Sequence, residues 1–409
     1  MARVDIAGLT CEVGGYVGPV PATPPSPGRL PSLTGLRFAA ALLVFGVHAY
    51  SFIPLADPPA DRVAGILFNG GDLGVSFFFV LSGFVLTWSV RPGYRPGRFW
   101  WGRLARVYPA HLVALVPAVV GLVLTARLPD IWPRLLAFSA PLVQAWHPSD
   151  VYYLGINPVT WSLSCEMAFY LAFPLLYAGL RRLGTTALRV AAVALPTAVW
   201  LMPLVADLLV AAEHRRWFVY IFPPVRMLEF LLGIVLALLV RRGAWRGPGL
   251  PVATALWVAN YLAVEWLPAQ ARDTAATIVT IGLLVPAAAL ADLHGRRSWW
   301  RHRVAVHLGE VSYGFFLLHL VVIVTVMHLV GRDREWTAWQ AVGLALAFLV
   351  GSYLLAVPLH RWVELPAMRR LRPTPPATPP GPQASPPPGP QERDRQQTGP
   401  DPRRDALTG

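Results

Sequence analysis

No lysine occurs anywhere in the 409 residues; all 35 basic side chains are arginine. Schiff-base lysine chemistry and a P-loop lysine are thereby excluded, and any anion held by a side-chain cation is held by Arg or His. A GC-rich coding bias is the plain reading, and the 41 Pro and 34 Gly agree with it. Cysteine is almost as scarce: Cys11 and Cys165 make no disulfide framework and show no zinc-ligand spacing. Charge of either sign is rare. The 35 basic and 22 acidic residues are 14% of the chain, against about 25% in a soluble domain. Hydrophobic residues reach 55%, with 16 Trp, 12 Tyr and 18 Phe, more apolar surface than a soluble fold hides. The +13 formal charge sits in short loops between apolar runs, which argues against nucleic acid as a partner. The remaining fold class is an all-α integral membrane protein.

Three regions follow from composition. Residues 1–32 hold Pro and Gly with few apolar runs, and no basic n-region leads into an apolar h-region, so no signal peptide is read. Residues 373–409 contain 12 prolines and read as a disordered tail. Between them, residues 33–372 hold ten apolar windows near the length of ~20 residues that spans a bilayer. They are 33–53, 73–90, 107–126, 161–181, 187–206, 217–240, 248–267, 273–292, 305–330 and 338–358. A shorter stretch, 131–147, contains Pro133, Arg134 and Pro141 and reads as an interfacial or re-entrant helix. Alternate loops and ends hold 25 arginines against 8, which places both termini in the cytoplasm.

Ionisable groups inside spans cost about 2.5–3.5 kcal/mol each on insertion scales, so each needs a partner or a task. Arg37 and His48 are eleven positions apart in the first span. They share one face of a helix, ~16 Å apart along its axis. They are either polar glue between helices or a working pair, with His48 as general base. In the second span, Ser82-Gly83 permits close helix packing; a substrate-contacting hydroxyl is the alternative. Arg103 and Arg106 share a face at the inner mouth, where two guanidinium forks grip either lipid headgroups or the phosphates of a ligand. Glu166, inside the Trp161–Tyr170 stretch, requires a partner, and helix directions bring it to the depth of His48, where a carboxylate would orient an imidazole. Cys165 has no neighbour that would make it a thiolate. Arg226 and Glu229, three apart, read as an intrahelical ion pair, and His319 as a histidine that bonds helices together.

Seven elements of this body, in order, resemble the acyltransferase family 3 membrane proteins, the O-antigen-acetylase-like O-acyltransferases of bacteria. They are Arg37 with His48, Phe78 to Phe84, Arg103-x-x-Arg106 with Pro109, Trp161-Ser-Leu-Ser-x-Glu166 with Phe169-Tyr170, Arg226-x-x-Glu229-Phe230, Ser312-Tyr-Gly to His319, and Glu364-x-Pro366. The resemblance runs from Leu33 to about Arg370. It implies a multi-pass protein of the bacterial cytoplasmic membrane that moves an acyl group from acyl-CoA, a co-substrate rather than a bound cofactor, to a hydroxyl of a carbohydrate-containing acceptor. Three positions depart from the common pattern: Ser76 stands where Asp is frequent, Met167 where a second acid is, and Phe316 where Tyr is. The Ser76 form, without an appended esterase-like domain, is more similar to the actinobacterial members that acylate macrolide antibiotics and their sugars.

What the resemblance implies for the site is a base at His48 positioned by Glu166, acyl-CoA held by Arg37, Arg103 and Arg106, and substrate contacts at Ser82, Trp161, Tyr170 and His319. No acyl-enzyme is needed, since a thioester is already activated. A transporter is the rival class, because in-span ionisable residues also mark ion paths; against it, the spans show no two-half repeat.

Overall fold

The computed structural model describes residues 28–371 except 92, 268–271, 273–274 and 332–333. The readings of 1–27 and of 372–409 lie outside the described residues. The described chain is helical, and its one β feature is an isolated bridge between Leu55 and Trp336. The α-helices are α1 (Pro31–Phe52), α2 (Pro58–Phe68), α3 (Leu73–Ser89), α4 (Pro96–Leu124), α5 (Trp132–Ser139), α6 (Asp150–Leu154), α7 (Trp161–Leu180), α8 (Thr185–Leu209), α9 (Pro223–Arg241), α10 (Leu250–Ala263), α11 (Ile278–Leu293), α12 (Arg303–Val330), α13 (Ala338–Pro358) and α14 (Leu365–Arg370). Proline opens α1, α2, α4 and α9. Its fixed φ suits the first turn, where its missing N–H has no helical partner to lose. Thr337 and Gln340 cap the start of α13 reciprocally.

Among the described residues, eight helical segments are long and apolar enough to cross a bilayer. They cover eight of the ten expected windows. The other two fold as shorter helices: α10 has 14 residues and α11 has 16. At 1.5 Å per residue these α-helical parts reach ~21 and ~24 Å, and α10 runs on as a 3-10 turn at Val264–Trp266. Gly247-Pro248-Gly249 holds back the start of α10, since the residue before proline disfavours the helical region. The 131–147 stretch forms the eight-residue α5 and a 3-10 turn at Gln144–Trp146, too short to span. It is tied to the bundle by Trp217 Nε1 donating to the Ala145 carbonyl (2.9 Å) and by Gln144 Nε2 donating to Thr160 Oγ1 (3.0 Å).

Burial separates the helices. The apolar window around α9 is 72% buried, while that of α8 is 11% and that of α13 is 22%, so α9 is central and the other two face lipid. Helices α3 and α9 pack backbone to backbone. A Cβ on Gly83 would run into the Phe230 carbonyl, and one on Gly233 into the Val80 carbonyl. The packing role of Ser82-Gly83 therefore belongs to Gly83, and small residues allow the approach as in other membrane bundles.

Candidate active site

His48 on α1 and His319 on α12 meet in the bundle. The His48 Nδ1 to His319 Nε2 distance is 2.9 Å, and His319 Nδ1 lies 2.8 Å from the Phe316 carbonyl oxygen. A carbonyl only accepts, so His319 carries its proton on Nδ1 and presents a bare Nε2. His48 must then donate from Nδ1, which leaves its Nε2 as a free lone pair. His319 is fully buried and packs between Phe315 and Phe316 (5.7 and 5.8 Å between centroids), while His48 keeps partial access. The expected helix-bonding histidine is thus the group that orients His48.

Glu166 is elsewhere. It accepts a hydrogen bond from the Tyr170 hydroxyl at 2.8 Å, one helical turn on. The expectation that this carboxylate orients His48 is therefore corrected: the place beside the imidazole is filled by His319. The reason lies in the turn before α7. Asn157 Nδ2 donates to the Leu317 carbonyl at 2.9 Å, so α7 starts at the depth of His319 inside the bundle instead of at its outer edge. Five residues further along α7, Glu166 is displaced by ~8 Å toward the arginine-rich end.

There Glu166 lines two cavities that share Arg37, Phe78, Glu166 and Tyr313. The first adds Ser82, Arg103, Arg106 and Tyr170 to those four. The second leads on to Ser162, Ser312 and Phe316. Three guanidiniums against one carboxylate make the first cavity a net cationic site. Arg37 and Arg106 make no ion pair among the described residues, and Arg103 lies over the Phe99 ring at 5.8 Å. The cavity linings stop at Phe316, which stands edge-on to Phe78 (5.9 Å) and carries the carbonyl that anchors His319.

Trp161 does not line either cavity. It is buried against Tyr220 and Phe79, at 4.9 and 6.4 Å between centroids, and is a packing residue here. Cys165 is fully buried with Sγ 3.2 Å from the Ile221 carbonyl. The Arg226–Glu229 ion pair is present at 3.1 Å, and Arg226 also donates to Ser76 Oγ at 3.1 Å. Of the four residues that both cavities share, two were not singled out from the sequence. Tyr313, whose hydroxyl donates to the Val107 carbonyl at 2.9 Å, and Phe78 both lay inside quoted motifs, and their placement in those motifs was the available signal. Glu364, in the last motif, is held by His360 Nδ1 at 2.9 Å.

The Acyltransferase domain family matches residues 30–359. The chain is 40% identical over 376 residues to acyltransferase MdmB of Streptomyces mycarofaciens, covering 88% of this chain and 97% of that one. It is 26% identical over 334 residues to the exopolysaccharide production protein ExoZ of Rhizobium meliloti, covering 76% and 94%. It is 31% identical over 169 residues to the O-acetyltransferase OatA of Staphylococcus aureus, covering 37% and 25%. No solved structure matches. A basic cavity inside an all-helical membrane bundle, a histidine with a free ring nitrogen, and a family match across the whole membrane body identify the chain as a member of the acyltransferase family 3 membrane O-acyltransferases.

Proposed function

We propose that the protein moves an acetyl or other short acyl group from acyl-CoA to a hydroxyl of a carbohydrate-containing acceptor, either a cell-envelope glycan or a glycosylated macrolide-type metabolite. Transfer is direct, with His48 as general base. The observation that carries this reading is the relay from the Phe316 carbonyl through His319 to His48 Nδ1. It aims the remaining lone pair of His48 and fixes its tautomer.

In the reaction, the acceptor hydroxyl gives its proton to His48 Nε2 while its oxygen bonds to the thioester carbonyl carbon. The carbon–sulfur bond then breaks, and the leaving thiolate takes the proton from the imidazolium. Arg103, Arg106 and Arg37 hold the CoA phosphates and the entrance of the pantetheine arm. Glu166, held by Tyr170, accepts from the amide N–H groups of that arm at the neck of the cavity. The excess of guanidinium over carboxylate there supports an anionic donor entering from the arginine-rich end, which is cytoplasmic on the arginine count. The names of ExoZ and OatA support a polysaccharide acceptor and an acetyl donor. The identity to a Streptomyces acyltransferase supports the actinobacterial branch.

The test is acyl transfer by purified, membrane-inserted protein. His48→Ala is expected to lower kcat by about 10²–10⁴, the usual worth of a general base. Near-normal transfer by that variant, with insertion and melting temperature unchanged, would falsify the base assignment.

A further inference from the structure

A second groove lies apart from the catalytic cavities, and nothing in the acyl-transfer reading uses it. It runs between the start of α10, the end of α11 and the loop that follows, with a volume of about 420 Å³. Its wall is apolar, with Leu250, Ala287 and Leu290. Its rim is cationic and aromatic, with Arg296, Arg297 and Trp300. The Arg296 guanidinium reaches across the groove to within 4.0 Å of where a Cβ on Gly249 would sit. Among the described residues, neither Arg296 nor Arg297 is in an ion pair, whereas the neighbouring Arg301 is engaged with Asp292 at 3.5 Å. The groove lies at the end of the bundle where the arginines concentrate.

We propose that this groove is a binding site for an anionic phospholipid, its phosphate on Arg296 and Arg297 and an acyl chain along the α10–α11 wall. Two observations carry it together. The two exposed guanidiniums are in no ion pair among the described residues and suit an anion, and the apolar wall suits hydrocarbon attached to it; a free phosphate uses only the first and a neutral lipid only the second. Indole rings at such a rim suit the headgroup layer.

The site is coupled to the catalytic bundle. The Trp300 carbonyl packs on Gly35, where no Cβ fits, and the Asp292 carboxylate accepts from Ser32 N and Ser32 Oγ at 2.8 and 2.7 Å. The rim is thereby fastened to the first turns of α1, two residues from Arg37.

The experiment uses full-length protein in nanodiscs of phosphatidylcholine alone or mixed with phosphatidylglycerol, and native mass spectrometry to count retained lipid. The wild type is expected to retain phosphatidylglycerol and to melt higher in the mixture. At about 1 kcal/mol per arginine near a membrane surface, Arg296→Gln with Arg297→Gln should weaken retention roughly 30-fold. Arg182→Gln, at the same end but outside the groove, should leave it unchanged. Retention equal to wild type in the double variant overturns the proposal. So does release of the lipid by inorganic phosphate at concentrations that leave ionic strength matched, because the groove would then be a phosphate site. Equal retention of phosphatidylcholine also overturns it.

Discussion

Arg226 and Glu229 face each other at 3.1 Å with 1% of either side chain exposed, capped by the Phe79 and Tyr220 rings at 5.1 and 5.4 Å. Arg37 and Glu166 also sit inside spans, yet they form no ion pair with each other and line open cavities. The first set is used up inside the packed core, where Arg226 also bonds Ser76. The second leaves its charges turned toward a space, with two further arginines. A carboxylate and a guanidinium in a membrane thus serve opposite ends, and what separates the cases is whether the charges are used up within the protein.

Glu229→Ala should have the largest effect on stability. It leaves Arg226 buried and uncompensated, at a cost of about 3–5 kcal/mol, read as a loss of folded protein or a fall in melting temperature. Arg226→Met combined with Glu229→Leu should recover most of that loss; failure to recover would show that the pair has a task beyond closing the core. Arg103→Ala should act on the other side of the comparison. Removing a charge-assisted phosphate contact, worth about 1.5–3 kcal/mol, should raise KM for acyl-CoA by roughly 10-fold or more and leave KM for the acceptor. The reverse pattern would remove Arg103 from the donor site. Ser76→Ala should cost about 1–2 kcal/mol by taking away a buried partner of Arg226, with no selective change in KM for acyl-CoA. Glu166→Ala should move the melting temperature less than Glu229→Ala does, by about 1–2 kcal/mol, because it takes the partner of the Tyr170 hydroxyl without breaking a closed ion pair. Its acyl transfer should nevertheless fall. Loss of folded Glu166→Ala protein on the scale of Glu229→Ala would erase the distinction between the two sets.

Contacts within one helix were legible, and contacts between helices were not. Arg226 and Glu229 are three residues apart, so a helix puts them together whatever surrounds it. Glu166 and Tyr170 are four apart and were equally readable, although the pairing with His48 was expected instead. That expectation assumed that α7 starts at the membrane surface. The Asn157–Leu317 bond starts it inside the bundle, and no periodicity in α7 itself records this. Ser76 is another such case. It departs from the common residue of the family, and only the packing of α3 on α9 shows that its hydroxyl serves Arg226.

Chain composition and apolar run lengths were enough to determine a helical membrane body, because lipid leaves the backbone no other way to satisfy its hydrogen bonds and helix length follows from bilayer thickness. The same reasoning marked Arg37, His48, Glu166 and His319 as groups that needed partners, since an isolated ionisable group in hydrocarbon is costly. Which partner each one took was decided by the rotation and depth of separate helices. Those depend on how side chains such as Gly83 and Gly233 interlock across the bundle, a property of pairs of surfaces that no single stretch of residues contains.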